Sequence, residues 1–215
     1  GRDVTIHYPS DIANSNCLHG VIAWGNGTGR SGGSNYMQTF RKWASFGFVV
    51  AVHHSGSSGS GGPHKSALTA VLNESSKASS PFYNRLNPKA AISGQSQGGL
   101  GTSAGSSDDR FVTALPMAGA SKGASKPSLF LTSQSDFMKS GTSSAYNGHS
   151  GAGTLLIAKG TSHASVPFHK GMLNVSVAWY RCFLNKNEDA CNLVKNDCSI
   201  CSSQSDLAEF KTKNW

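Results

Sequence analysis

Acidic side chains are scarce in this chain. Of its 215 residues, 11 are Asp or Glu against 19 Lys or Arg; the formal charge is +8, and charged residues make up only 14%. The basic residues are scattered, with no run or stripe, which argues against nucleic-acid recognition; weak attraction to anionic surfaces or polymers and solubility remain. Long apolar runs are missing as well. None approaches the roughly 18 residues of a membrane helix, so no span is expected. The chain has no Gly-Lys-Ser/Thr, and Arg30 stands where a dinucleotide fingerprint needs its third glycine, so the glycine-rich segment Gly25–Arg30 is no phosphate loop. No internal repeat is visible. Gly1 leads at once into charged and strand-like residues, so no signal peptide is expected at this end, as in a mature or trimmed chain.

Short apolar segments alternate with amphipathic ones. Val4–Tyr8, Leu18–Trp24, Phe48–Val52, Ala90–Ser93, Phe111–Leu115, Ser128–Thr132 and Thr154–Ala158 read as strands. Helices are expected over Asn35–Phe46, Lys65–Ala78, the small residues Gly99–Ser106, and His169–Asn185, with Gly56–Pro63 a Ser/Gly loop. This order predicts an α/β fold: a mostly parallel central sheet with helices on both faces and no large lid. At this length, residues 1–215 are expected to form one domain.

The most informative segment is Gly94-Gln95-Ser96-Gln97-Gly98, between the Ala90–Ser93 strand and the small-residue helix. In that context G-x-S-x-G is a nucleophile elbow: the serine projects from a strained turn, and the glycines let backbone pass close by. Ser96 is the candidate nucleophile. The scarcity of acids makes its partners tractable, because in this architecture the acid and then the histidine follow the serine along the chain. Only Asp108, Asp109 and Asp136 lie between Ser96 and His169. The first two sit in a polar turn, Ser106–Arg110, suited to capping. Asp136 lies just past the carboxyl end of a strand, where open α/β sheets place working groups. His149, His163 and His169 compete as base. His149 falls in a Ser/Gly-rich segment expected to be a surface loop, and His169 at a helix start. His163, on the loop after Thr154–Ala158, is the choice.

An oxyanion site needs two donors. The backbone N–H of Gln97 should be one. The N–H of Thr28, with Gly27 or Gly29 as alternatives, should be the other, from the loop after Leu18–Trp24. His53-His54 is a poor metal pair, since neighbours on a strand face apart, and no metal site is expected. Asn26-Gly27-Thr28 matches the glycosylation pattern, but a glycan there would block the oxyanion loop, so none is expected at Asn26.

With these residues in view, the chain resembles the bacterial cutinase-like polyester hydrolases, including poly(ethylene terephthalate) hydrolases, of the α/β-hydrolase superfamily. The likeness runs from about Thr5 to the C-terminus. It rests on Gly20–Thr28, Ala44–Ala51, Gly94–Gly99, the Asp136 loop, Ser162-His163 and Val177–Arg181. The resemblance implies a Ser-His-Asp serine hydrolase without cofactor, acting as a monomer on an ester or polyester in a shallow cleft. It also implies oxyanion donors at Thr28 and Gln97. Gly27, Gln95, Phe137, Val166 and Phe168 are the residues that should line the substrate site. The chain departs from the family where Gln95 and Gln97 flank the serine, where Thr28 replaces an aromatic side chain, and in having no tryptophan from Leu115 to Lys126. Aliphatic polyesters, short acyl esters and lipids therefore stay open as substrates. Acyltransferase or peptidase chemistry, or a silent binding protein on this scaffold, are the alternatives.

Five cysteines, four of them within the polar segment 181–215, point to an oxidising, extracellular or periplasmic setting. The pairing expected is Cys182–Cys191 and Cys198–Cys201, which would staple the tail and leave Cys17 as a buried thiol. A redox pair at Cys198 and Cys201, or a four-cysteine metal site, are the alternatives.

Overall fold

The computed structural model describes residues 3–123 and 126–215. Its strands are β1 (Val4–His7), β2 (His19–Gly25), β3 (Val49–His53), β4 (Leu86–Gln95), β5 (Phe111–Met117), β6 (Ser128–Ser133), β7 (Gly153–Ala158) and β8 (Leu207–Lys213). They form one eight-stranded sheet in the order β1-β3-β2-β4-β5-β6-β7-β8. Only the outermost strands run antiparallel, β1 to β3 and β8 to β7; the interior pairs are parallel. The helices are α1 (Met37–Ala44), α2 (Gly62–Ser75), α3 (Gln97–Gly105), α4 (Lys139–Asn147), α5 (Lys170–Asn185), α6 (Glu188–Val194) and α7 (Ser199–Ser202).

The period of two along each strand sorts side chains onto opposite faces. Ile22 and Trp24 of β2 and Val50 and Val52 of β3 join Phe40 and Trp43 of α1 and the inner face of α5. Their neighbours Val21, Ala23, Val49 and Ala51 pack with Ala67, Leu68 and Val71 of α2. At the far side, Phe130, Leu155 and Ile157 close over Ala145 and Tyr146 of α4. Because both faces are covered, the central strands read as apolar runs rather than alternating ones. Two buried indoles are tied into this frame: Trp43 Nε1 donates to Ser176 Oγ at 2.9 Å and Trp179 Nε1 to Thr113 Oγ1 at 2.7 Å. The α/β architecture expected from the sequence is the one found.

Several expectations are corrected. Helix α2 starts at Gly62, not Lys65, because Pro63 fits the first turn, where its missing N–H costs nothing. Helix α4 was not expected: Lys-Ser-Gly-Thr-Ser-Ser-Ala-Tyr-Asn has weak helix propensity, and burial of Thr142, Ala145 and Tyr146 against β6 and β7 supplies what propensity does not. His149 is buried rather than on a surface loop, its ring 5.3 Å from that of Phe130. The tail is more than a stapled polar segment; it makes α6, α7 and the edge strand β8, which burial of Val194, Cys198, Cys201 and Leu207 anchors.

Both expected disulfides are present, Cys182–Cys191 and Cys198–Cys201. Cys17 is free but exposed, not buried. It lies in the surface segment between the 3-10 turn Ile12–Asn14 and β2, with its sulfur 3.2 Å from Ser15 Oγ. No helix among the described residues is long and apolar enough to cross a membrane. Cys182–Cys191 joins α5 to α6 across 9 residues of sequence, so it restricts the unfolded chain more than Cys198–Cys201 across 3. Replacing Cys182 and Cys191 by alanine is expected to cost about 2–3 kcal/mol in urea unfolding. A loss well under about 1 kcal/mol in the folded double variant would show that the bridge does not restrict the unfolded chain in this way.

Candidate active site

Strand β4 ends at Gln95 and α3 begins at Gln97, leaving Ser96 alone on the turn with φ 58° and ψ −118°. For a side chain larger than glycine this left-handed backbone costs about 1–3 kcal/mol and persists only where its surroundings enforce it. They do so here. Ser96 N donates to Met117 O at 2.9 Å, and Leu100 N to Ser96 O at 3.0 Å. A Cβ on Gly98 would sit 2.0 Å from the Gly25 carbonyl oxygen, and one on Gly94 2.5 Å from the Gly98 carbonyl oxygen. The two motif glycines are therefore required by backbone packing on either side of the serine.

His163 opens a 3-10 turn, His163–Phe168, on the loop after β7. Its Nε2 lies 2.9 Å from Ser96 Oγ, and its Nδ1 lies 2.7 Å from Asp136 Oδ1. An ionised carboxylate only accepts, so Nδ1 carries the proton and Nε2 is left to accept from the serine hydroxyl. The Asp136 side chain is fully buried. Its Oδ1 also accepts from Met138 N at 2.8 Å, and its Oδ2 accepts from Thr132 Oγ1 at 2.9 Å. Ser133 Oγ donates to Thr161 O at 2.6 Å and so ties the acid loop to the base loop.

The rejected candidates lie elsewhere. Asp108 is held by Arg110, whose Nη2 lies 2.7 Å from Oδ2, and this pairing pulls its carboxyl down to about 2. The Asp109 side chain is 98% exposed. His149 packs on Phe130, and His169 caps α5 through Nδ1, 3.4 Å from Met172 N. His54 Nε2 bonds Thr5 Oγ1 at 2.8 Å, while His53 Nδ1 accepts from Ser55 N at 3.0 Å, so the pair does not converge.

No protein-family model matches the chain. No curated protein matches it either. The functional reading therefore rests on the geometry of Ser96, His163 and Asp136.

Around the serine, the two N–H groups expected to meet an oxyanion are uncommitted. No hydrogen bond among the described residues engages Thr28 N or Gln97 N. Gln97 is the first residue of α3, where N–H groups lack intrahelical acceptors and carry the positive end of the helix dipole. Thr28 is exposed, on a loop pinned by Gly29 N to Gly56 O at 3.1 Å and Arg30 N to Gly27 O at 3.1 Å. The Gln97 side chain also braces the site, since its Oε1 accepts from Ser58 N at 3.0 Å and anchors the Ser/Gly loop beside the elbow. Asn26 is buried, and its Nδ2, the atom to which a glycan would be joined, donates to His53 O at 2.8 Å.

The expected substrate residues fare differently. Phe137 is 78% exposed, with its ring 4.1 Å from the His163 imidazole. It borders an open, polar groove along α4, lined by Lys139, Ser140, Ser143, Ser144 and Asn147. Phe168 is half-buried and stacks at 6.3 Å on Tyr36. Val166 packs wholly within the core, and Gln95 and Gly27 are also buried, so these three do not present side chains to solvent. Thr132 and Tyr36 were missed as site residues. A strand threonine and an aromatic on an apolar helix face give no sign in sequence that their hydroxyls turn towards the site.

A further residue supports the elbow from beneath. His64 of α2 is fully buried between the end of β2 and α3; a Cβ on Gly25 would come within 2.1 Å of its Cε1, and one on Gly101 within 2.9 Å. Neither ring nitrogen makes a well-aligned hydrogen bond. Burial pushes this imidazole down to about 4, against the opposing pull of the Gly98 and Ser93 carbonyls. Its unfolded value is about 6.5, so the unfolded chain binds the extra proton first. The stability that His64 contributes is therefore expected to be complete above about pH 6.5 and to be lost as pH falls towards about 4, on the order of 3 kcal/mol. Urea unfolding between pH 7.5 and pH 5 should show most of this loss, and His64→Gln should flatten it. A slope unchanged in the folded variant would remove His64 as the cause.

Proposed function

We propose that this protein is a secreted serine carboxylic-ester hydrolase, cutinase- and polyesterase-like, working through a Ser-His-Asp triad and an acyl-enzyme. The observation that carries the reading is the continuous line from Ser96 Oγ through the His163 ring to a buried, hydrogen-bonded Asp136. Ser96 Oγ attacks the ester carbonyl carbon while His163 Nε2 takes its proton, and the carbonyl electron pair moves onto oxygen. The N–H groups of Thr28 and Gln97 receive that oxyanion. Collapse breaks the C–O bond to the alcohol, which leaves with the proton from His163. Water then adds to the acyl-enzyme by the same route, releasing the acid and restoring Ser96. Asp136 holds the imidazole in the working tautomer and stabilises its charged form without itself gaining a proton.

The openness of the site favours water as the acyl acceptor over a second alcohol. Ser96 is half-buried, the His163 side chain keeps 18% of its surface exposed, and Phe137 stands in solvent beside it. Phe137 supplies an apolar wall for an acyl or aryl group, and the open groove that it borders along α4 suits a polymer chain. The two disulfides support an oxidising compartment and hence secretion. A small-ester or lipid esterase uses the same machinery. The test is a panel of short and long p-nitrophenyl esters with aliphatic and aromatic polyester films, using Ser96→Ala as the blank. Turnover on films as well as soluble esters is expected. Activity on soluble esters alone would reduce the reading to a plain esterase, and no turnover on any ester would overturn it.

A further inference from the structure

One buried polar chain plays no part in the reaction above. Tyr36 lies at the end of the 3-10 turn Ser34–Tyr36 that leads into α1, and it is 1% exposed. Its hydroxyl donates to Gln95 Oε1 at 2.9 Å and accepts from Gly27 N at 3.1 Å. The Gln95 Nε2 group, in turn, donates to the backbone carbonyl of His163 at 3.3 Å. One relay thus reaches the residue before Thr28, the residue before Ser96, and the base itself.

We propose that Tyr36 and Gln95 are positioning residues that hold the Thr28 loop and the His163 loop in register with Ser96. The inference rests on the serine-hydrolase reading and adds to it two residues that touch no reacting atom. Three elements that meet at the serine come from distant parts of the chain: the loop after β2, the β4–α3 elbow and the 3-10 turn after β7. Each leaves a different strand, so the sheet pairing alone does not fix the side-chain spacing at their meeting point. A buried network whose groups are all satisfied fixes their spacing better than apolar packing does, because any slip leaves an unpaired polar group in the interior.

Other contacts tie the same bracket together. Thr39 Oγ1 of α1 donates to Pro167 O, within the His163 turn, at 2.6 Å. Phe168 stacks on Tyr36, and the Arg30 guanidinium lies 5.7 Å above the Tyr36 ring, covering it from the oxyanion-loop side. Burial raises the Tyr36 phenol above its ordinary value, so the hydroxyl keeps the proton it donates to Gln95. Gly27 has to be glycine for the relay to close, since a Cβ there would stand 2.6 Å from Gln95 Oε1 and 3.2 Å from Tyr36 Oη. Gln95 supplies both groups that the relay needs: its amide oxygen accepts from Tyr36 and its NH₂ donates to the His163 carbonyl.

The test uses the full chain and the variants Tyr36→Phe, Gln95→Met and their combination. Ser96 labelling by a fluorophosphonate and hydrolysis of a short p-nitrophenyl ester are measured, with thermal unfolding alongside. Loosening an oxyanion donor and the base together should lower kcat about tenfold to a hundredfold in each single variant, with KM within about twofold. The double variant should fall no further than the weaker single, because both remove one network. Ser176→Ala, which deprives Trp43 of its acceptor, serves as control: stability should drop while kcat holds. Labelling of the wild-type Ser96 with kcat unchanged in folded Tyr36→Phe or Gln95→Met would overturn the proposal alone. So would additive losses, or losses only in KM. Failure of the wild-type protein to label or turn over any ester would instead overturn the hydrolase reading, and the proposal with it. Should Tyr36→Phe not fold, Gln95→Met decides by the same measures.

Discussion

Ser96→Ala is expected to lower kcat on a p-nitrophenyl ester by about 10⁴–10⁶-fold, on the scale of nucleophile removal from other Ser-His-Asp sites. Among the described residues, the Ser96 hydroxyl is the only group hydrogen-bonded to His163 Nε2, at 2.9 Å. What remains should come from the oxyanion donors and from substrate binding, which raise the rate of attack by water without a covalent intermediate. The backbone should tolerate the change, since alanine needs no more space than serine and the Met117 and Leu100 bonds involve only main-chain atoms. The checks are steady-state hydrolysis and intact mass after fluorophosphonate treatment. A single adduct on the wild-type protein, absent from the variant, is the expected result; an adduct elsewhere with turnover retained would refute the assignment.

Asp136→Asn should lower kcat by about 10³–10⁴-fold, the scale of this substitution in other triads. The carboxylate accepts from His163 Nδ1 and Met138 N through Oδ1 and from Thr132 Oγ1 through Oδ2. An amide offers one acceptor oxygen. If its NH₂ faces the ring, the imidazole proton moves to Nε2, which then cannot accept from Ser96. If its oxygen faces the ring, geometry survives but the negative charge that stabilises the imidazolium is gone. Asp108→Asn and Asp109→Asn should stay within about twofold of wild type, because neither side chain approaches His163 and surface changes of this kind have small effects. Equal losses from Asp109→Asn and Asp136→Asn would show that the acid is not the one the geometry indicates.

Much of the site was legible because acids are rare and the elbow glycines are closely spaced. With three carboxylates between Ser96 and His169, the topological rule that the acid follows the serine on a later strand left little choice. His163 was legible for a related reason: it follows an apolar run of strand length, whereas His149 and His169 do not. The residues expected to line a substrate site were less legible. Phe137, Val166 and Phe168 are all apolar residues on loops beside the acid or base, and sequence gives them equal standing. Backbone direction separates them, sending Phe137 into solvent and Val166 into the core. His149 and Cys17 misled for the same reason, in opposite directions, since burial outside regular periodicity depends on which distant element covers the segment.

The sequence by itself determined the order of β1 to β7 with α1, α2, α3 and α5, the elbow, and which serine, acid and histidine belong together. Those features rest on local rules: side-chain period, steric demands of a turn, and the chain order that a parallel sheet imposes. Only the tertiary structure decided that the polar tail ends in an edge strand on β7, that α4 forms despite its composition, and that His64 is sealed beneath the elbow. The same holds for the Tyr36–Gln95 relay, whose bonded partners are 9, 59 and 68 residues apart in the chain. No periodicity encodes such pairs, because their energy exists only after the sheet has brought separate loops to one end and excluded the water that would otherwise bind each polar group.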